Sequence, residues 1–213
     1  MLNSLRSIIA IHCVFLAAAS GVAQSEPIDQ RLESVATLIR QNRTVEAERQ
    51  LTAILKTAPK EARALNLLGT IRGSQRKLAE AETFFLRAIE IDNRLVAAHM
   101  NLAYLYLLKN EPDRTISTLR VVLGLEPNNT EAALKLARLL LPRGQIDECV
   151  QFIEESKASQ PPTPALLTVL GDAYLRRPDV SKARESYLSA LEKQGDEVEA
   201  LLGLSQVFQV TGD

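Results

Sequence analysis

A leucine followed by a small residue returns every 34 residues along this chain, with no insertion between copies. The five pairs are Leu68-Gly69, Leu102-Ala103, Leu136-Ala137, Leu170-Gly171 and Leu204-Ser205. Twelve residues after each of the first four pairs stand Ala81, Thr115, Cys149 and Ala183. Self-similarity at one fixed period predicts stacked structural units, each too small to bury its apolar face alone, rather than one globular core.

Each unit contains two amphipathic helices, as the copy at residues 62–95 shows best. The apolar face of its second half consists of Leu78, Ala81, Phe85 and Ala88. Intervals of three and four residues place such side chains on one side of an α-helix. Residues 64–71 form another amphipathic helix, which ends at the Gly73-Ser74 pair. Two helices joined by a short turn pack antiparallel, so we predict an all-α fold, an α-solenoid of antiparallel helix pairs.

The pattern resembles the tetratricopeptide repeat family, and the resemblance covers essentially the whole chain after residue 23. The predicted organisation is a short segment at 24–27, five units at 28–61, 62–95, 96–129, 130–163 and 164–197, and the first helix of a sixth, incomplete unit at 198–213. The resemblance implies a right-handed superhelix whose concave surface, lined by the first helix of each unit, binds peptides of partner proteins. Arg72 departs from the pattern, because the family has an aromatic residue at that position.

Two glycines lie inside predicted helices, where glycine costs about 1 kcal/mol relative to alanine. We interpret Gly69 and Gly171 as places where two helices approach closely. A small residue of the facing helix, such as Ala81, would lie opposite, and the larger Phe85 and Tyr187 would fill the flanks. Elsewhere, Pro142 falls about one turn before the expected end of a first helix and predicts that this helix stops or bends near Leu141.

The sequence contains no pattern typical of catalysis, so we predict that the protein is not an enzyme and requires no cofactor or metal. After residue 23 it has one cysteine, Cys149, and one histidine, His99, which are too few for a structural zinc site of about four ligands. A Cys-His nucleophilic pair is conceivable, but the repeat register argues against it. It places Cys149 at the buried small position of its unit and His99 at a structural position.

Charge gives no support for a nucleic-acid partner. The chain carries 25 Lys and Arg against 26 Asp and Glu, a formal net charge of −1. No overall field therefore attracts polyanions or anionic lipid, and we predict that the partners are proteins or peptides.

The first 23 residues have the layout of a secretory signal peptide. A single cation, Arg6, precedes an apolar run at 8–19, and the small residues before Gln24 suit cleavage after Ala23. The apolar run is shorter than the roughly 20 residues of a spanning helix. We therefore expect an exported protein, periplasmic or secreted, with no membrane span after cleavage. The alternative is an uncleaved signal that anchors the protein to a membrane.

The candidate partner-binding residues are those that we expect to be exposed on the first helices. They are Asn66, Thr70, Met100, Asn101, Tyr104, Leu107, Lys135, Arg138 and Asp172, with Leu134 and Thr168 beside them. An adaptable methionine and an aromatic ring near two cations favour an extended or helical peptide with an apolar side chain and a carboxylate. The family's two-carboxylate clamp is only partly matched, because Asn66 and Thr70 replace its first Lys-and-Asn pair. Recognition of chaperone tails is therefore not predicted.

The leading hypothesis is a non-catalytic scaffold in an envelope or secretion-related assembly. The alternative is a substrate-recruiting arm of a longer enzyme, for example a transferase, with a catalytic domain beyond residue 213.

The last helix has an unusual pattern for a terminal cap. We expect Leu201, Leu204, Ser205 and Phe208 to be buried, and Leu202, Val207 and Val210 to add apolar surface. A terminal helix normally has a polar outer face. We therefore expect a truncated longer solenoid, or an end covered by a partner or by a second copy through end-to-end self-association.

Overall fold

A computed structural model describes residues 26–157 and 161–212, and this part of the chain is all-helical. Its eleven α-helices are α1 (Ile28–Arg40), α2 (Thr44–Thr57), α3 (Ala62–Ser74), α4 (Leu78–Ile91), α5 (Val96–Leu108), α6 (Pro112–Leu125), α7 (Thr130–Leu140), α8 (Ile146–Lys157), α9 (Pro164–Arg176), α10 (Val180–Lys193) and α11 (Val198–Thr211). Odd-numbered helices begin 34 residues apart, from Ile28 to Val198. The predicted signal peptide lies outside the described residues.

Helices pack on their neighbours along the chain, as expected for a solenoid of antiparallel pairs. Each helix contacts the next one, and α1 contacts α3, α3 contacts α5, α7 contacts α9 and α9 contacts α11. Helices α5 and α7 approach each other less closely than these other first helices. The predicted all-α solenoid is confirmed. Among the described helices, none is both long enough and apolar enough to cross a membrane.

The turns inside the first four pairs, and the residue after α11, share one backbone conformation. Asn42, Arg76, Asn110, Gly144 and Gly212 stand at equivalent places, and their φ angles are 59°, 63°, 57°, 74° and 74°. Asparagine and glycine tolerate this left-handed region better than other residues. A shared turn conformation keeps the spacing between the two helices of successive pairs constant.

Aromatic rings, rather than small residues, cover the two glycines that the sequence singled out. A Cβ atom added to Gly69 would lie 2.5 Å from Phe85 Cε1, and one added to Gly171 would lie 2.5 Å from Tyr187 Cε1. The expectation that Phe85 and Tyr187 only fill the flanks of these contacts is therefore wrong. The missing side chain makes room for a ring of the second helix, which packs directly on the backbone of the first.

Tyr187 fills a slot between two glycines of different helices. Its side chain is fully buried, and the ring contacts both Gly171 of α9 and Gly203 of α11. The phenol donates a hydrogen bond of 2.6 Å to Asp172 Oδ1. A single side chain of α10 therefore joins α9 to α11.

Arg72, which stands where the family has an aromatic residue, forms an ion pair with a carboxylate of the preceding unit. Arg72 Nη2 and Nη1 donate to the two carboxylate oxygens of Glu48 at 2.6 and 2.9 Å. This hydrogen bonding lowers the pKa of Glu48. One unit later, at the equivalent places, Tyr106 donates its hydroxyl to Glu82 at 3.2 Å. An arginine therefore replaces the aromatic residue without loss of the contact between units, because the carboxylate accepts from either group.

Three smaller expectations agree with the structure. Helix α7 ends at Leu140, and a 3-10 turn at Leu141–Arg143 contains the proline that is expected to stop it. The side chain of Cys149 is fully buried. His99 is 8% exposed and its Nε2 lies 3.0 Å from the main-chain oxygen of Asn93, so its position is structural.

The expected burial pattern of α11 is wrong. Ala200, Gly203 and Val207 are its buried residues, whereas Leu201 is 47% and Phe208 40% exposed, Ser205 is also exposed, and Leu204 is partly buried. The reason is visible at Leu65, which occupies the same position in α3 that Leu201 occupies in α11. Leu65 is buried and packs in one cluster with Ala88 of α4. Such positions are buried by the second helix of their own pair. Among the described residues, no second helix follows α11.

Candidate functional site

A cleft of about 300 Å³ opens between α5 and α7, where the row of first helices is least tightly packed, and α6 forms its floor. Its apolar lining consists of Met100, Ala103, Leu107, Leu119, Leu134 and Leu139. Its polar lining consists of Tyr104, Thr115, Glu131, Lys135 and Arg138. The volume is at the lower end of the roughly 300 to 1,000 Å³ of ligand pockets, which suits an inserted side chain.

Three side chains form a polar group at one edge of the cleft. Tyr104 donates its hydroxyl to the Glu131 carboxylate, and Lys135 Nζ lies 4.5 Å from the centre of the Tyr104 ring. Lys135 Nζ is also 3.9 Å from Glu131 Oε1. Burial, and then the Glu131 carboxylate, raise the pKa of Tyr104 to about 12. The phenol therefore stays protonated and keeps donating at any physiological pH.

Arg138 connects the cleft to the last helix. Its Nη2 lies 2.9 Å from Glu199 Oε2 of α11, and both side chains are more than half exposed. An exposed ion pair of this kind contributes about 0.2 to 1 kcal/mol, so a carboxylate of a ligand can exchange with Glu199 at small cost.

A second polar group lies beside the cleft, between α3 and α5. Asn101 Nδ2 donates to Asn66 Oδ1 at 2.9 Å and lies 3.4 Å from Thr70 Oγ1. The Thr70 hydroxyl in turn donates to the main-chain oxygen of Asn66 at 3.1 Å. These three residues therefore form one network across two units.

Asp172 stands apart from the cleft, on α9. Burial raises the pKa of its carboxyl, and the hydrogen bond from Tyr187 opposes that shift. Arg138 and Glu199 are close enough to act on it with opposite signs. The contact with Tyr187 gives Asp172 a place in the packing of α9 on α10.

The structure brings most of the expected groove residues together. Met100, Tyr104, Leu107, Lys135 and Arg138 share the cleft. Three residues that we expected to be exposed are buried, with exposed fractions of 7% for Asn66, 9% for Met100 and 1% for Thr168. The neighbouring helices cover them, which a single-helix pattern does not reveal. Sequence reasoning also missed Leu119, Leu139 and Glu199, because their placement depends on how separate units stack.

Comparison with known proteins identifies the repeat. Two models described as tetratricopeptide repeat match residues 36–95 and 168–213, and residues 109–173. A curated relative, the CTR9 homolog of Arabidopsis thaliana, is 26% identical over 134 residues, which is 62% of this chain and 12% of that protein. The chain therefore spans only a small part of that relative.

Solved structures show the same fold at low sequence identity. YrrB, described as a TPR protein with an unusual peptide-binding site, is 20% identical with a TM-score of 0.64, over 80% of this chain and 88% of that one. PilF of Pseudomonas aeruginosa is 16% identical with a TM-score of 0.71, over 87% and 84%. MamA is 18% identical with a TM-score of 0.63, over 80% and 93%.

Proposed function

The chain belongs to the tetratricopeptide repeat family, and we propose that it is a non-catalytic scaffold that binds a peptide segment of a partner protein in the α5–α7 cleft. The cleft itself is the observation that supports this site. It is the place along the row of first helices where α5 and α7 are held apart, and apolar side chains are left in contact with solvent there.

The chemistry of the cleft specifies an apolar anchor on the ligand. Met100, Leu107 and Leu134 form walls against which a leucine, methionine or phenylalanine side chain would lose its contact with water. Full burial of such a side chain contributes about 1.5 to 3 kcal/mol. The methionine wall adapts to the shape of the anchor.

The charges around the cleft specify an acidic group beside that anchor. Arg138 and Lys135 are the cations of the lining. Arg138 pairs with Glu199 and Lys135 lies near Glu131, and both carboxylates are more than half exposed. A ligand carboxylate would exchange with Glu199 on Arg138, whose planar guanidinium binds carboxylates in a fixed geometry.

We further propose that the scaffold works outside the cytoplasm, in an envelope or secretion-related assembly. The layout of residues 1–23 supports this location. N-terminal sequencing of the protein recovered from its native host tests it, and we expect the recovered chain to begin at Gln24. A chain that still begins at Met1 and remains in the cytoplasmic fraction would refute export.

Selection of random dodecapeptides displayed on phage tests the proposed site. The wild-type chain alone is the target of the selection, and the double variant Tyr104→Ala with Arg138→Glu is compared with it only afterwards, in binding the enriched peptides. We expect the enriched peptides to share one large apolar residue and a nearby Asp or Glu. Synthetic copies should lose at least tenfold in affinity for the double variant, because it removes the aromatic ring of the cleft and replaces one of its two cations by a carboxylate.

A matched variant on α4 controls for charge and apolar area. Leu86→Ala with Arg87→Glu makes the same change of charge on an exposed surface away from the cleft. Its affinity for the selected peptides should equal that of the wild type. Enriched peptides that bind the Tyr104 and Arg138 variant as tightly as the wild type would remove the site assignment.

A further inference from the structure

Arg138 is paired with a carboxylate from a distant part of the chain. Its Nη2 donates to Glu199 Oε2 at 2.9 Å, and the two residues are 61 positions apart in the sequence. Helix α9 packs between α7 and α11 in the row of first helices, so the two side chains meet across α9. Arg138 also lines the α5–α7 cleft. One guanidinium therefore belongs both to the proposed site and to an internal ion pair.

The geometry of this ion pair is that of an exchangeable contact. Within residues 26–157 and 161–212, Arg138 donates to Glu199 alone, and it uses a single nitrogen. Arg72 differs, because two of its nitrogens donate to Glu48 and its side chain is 15% exposed, against 51% for Arg138. A bidentate and partly buried pair keeps its geometry, whereas an exposed pair with one hydrogen bond contributes little.

Of the two carboxylates that lie near the cleft cations, Glu199 is the less firmly held. Glu131 accepts the Tyr104 hydroxyl in addition to lying near Lys135. In the part of the chain that the structure describes, Glu199 accepts from Arg138 and from no other donor. A ligand carboxylate would therefore displace Glu199 rather than Glu131.

The surroundings of Glu199 favour its release. It lies in the first turn of α11, where the helix dipole stabilises a carboxylate even without Arg138. Burial raises the pKa of the Asp172 carboxyl, and the charge of Glu199 adds to that shift, so the two carboxylates repel each other. The packing of Gly203 on the Tyr187 ring does not involve Glu199, so α11 would stay in place after the exchange.

We propose that Glu199 is an internal competitor of the ligand, which occupies the carboxylate position on Arg138 until an acidic ligand replaces it. The inference rests on the proposed function and names the residue that regulates the affinity of that site for acidic ligands. An acidic peptide gains only the difference between two ion pairs, whereas a neutral peptide leaves Arg138 paired. Glu199 therefore reduces the preference of the cleft for acidic over neutral peptides.

The variant Glu199→Gln tests the inference, because it removes the competing charge and keeps the size of the side chain. The probes are the tightest-binding selected dodecapeptide that contains an acidic residue and a copy in which that residue is changed to its amide. Affinities are measured by fluorescence polarisation at about 0.1 M salt, where charges within about 10 Å still interact. We expect Glu199→Gln to bind the acidic peptide about two to five times more tightly than the wild type does, and the amide peptide equally well.

The variant Glu197→Gln is the matched control for charge. Glu197 precedes the same helix, and among the described residues its side chain forms no ion pair or hydrogen bond. The control removes the same charge from the same helix end, so its affinity for the acidic peptide should equal that of the wild type. In a chain that carries Arg138→Gln, the further change Glu199→Gln should leave the affinity unchanged, because the shared partner is absent.

Failure of this inference is distinct from failure of the proposed function. If Glu199→Gln binds the acidic peptide no more tightly than the wild type, while the Tyr104 and Arg138 variant still loses affinity, the competitor role alone is overturned. An equal gain in Glu197→Gln, or for the amide peptide, also overturns it, because the effect would not depend on the contact with Arg138. Selected peptides without any acidic residue overturn it together with the acidic part of the proposed function. Binding that depends on neither Tyr104 nor Arg138 overturns both.

Discussion

Replacement of Tyr187 by alanine is expected to lower the free energy of unfolding by about 3 to 5 kcal/mol. The ring is fully buried between Gly171 and Gly203, and neither glycine has a side chain that could move into the space. The cavity would therefore persist, and α11 would lose the contact of Gly203 with the ring of α10. Urea unfolding followed by circular dichroism measures the change as a lower midpoint.

Two further variants separate the ring from its hydroxyl. Tyr187→Phe keeps the ring but takes the donor from the largely buried Asp172, and should cost about 1 to 3 kcal/mol. Leu188→Ala changes the next residue, which is 45% exposed, and should stay within about 0.5 kcal/mol of the wild type. A Tyr187→Ala chain as stable as the Leu188→Ala chain would contradict the described packing of α9, α10 and α11.

Replacement of Gly69 by leucine should destabilise the chain by about 1 to 3 kcal/mol through overpacking. The new Cβ would lie 2.5 Å from Phe85 Cε1, so the ring and α4 would have to move away from α3. The better helix propensity of leucine, worth up to about 1 kcal/mol, only partly offsets this. Thermal unfolding should begin several degrees lower, at about 2 to 4 °C per kcal/mol for a chain of this size.

A second glycine of the same helix provides a control of opposite sign. Gly73 has no atom within 4 Å of the place where a Cβ would stand. Gly73→Ala should therefore stabilise the chain by about 0.5 to 1 kcal/mol, because only the cost of a helical glycine is removed. Unchanged unfolding of Gly69→Leu would show that the assigned register of the repeat is wrong.

The 34-residue period predicted most of the fold, because helix type and turn position follow from local spacing. Contacts within one unit, such as Gly69 with a large residue of the next helix, followed the same period. The period did not predict the nature of that contact, because the pattern does not distinguish a small residue that faces a glycine from an aromatic ring that faces it. Gly203 escaped notice because it stands outside the repeating pair at Leu204-Ser205.

The sequence pattern did not predict the contacts between units. Arg138 pairs with Glu199 across the intervening α9, a separation of 61 residues that depends on how three first helices stack. The burial of Asn66 likewise depends on Asn101 from the next unit lying over it. The sequence therefore predicted the candidate site as a set of residue types on the first helices. Only the structure shows that these residues divide between the α5–α7 cleft and the hydrogen-bonded network of Asn66, Thr70 and Asn101.

The most direct measurement uses the methionine in the cleft as a reporter. The chain has two methionines, Met1 and Met100, so selective ¹³C-methyl labelling gives at most two signals. Met100→Leu assigns them, and Met100 lines the cleft. Titration with a selected peptide should shift the Met100 signal until it saturates, at the same concentration as binding measured by fluorescence polarisation. The variant Tyr104→Ala with Arg138→Glu should abolish the shift. Saturable peptide binding that leaves the Met100 signal unmoved would place the binding site elsewhere and contradict the account.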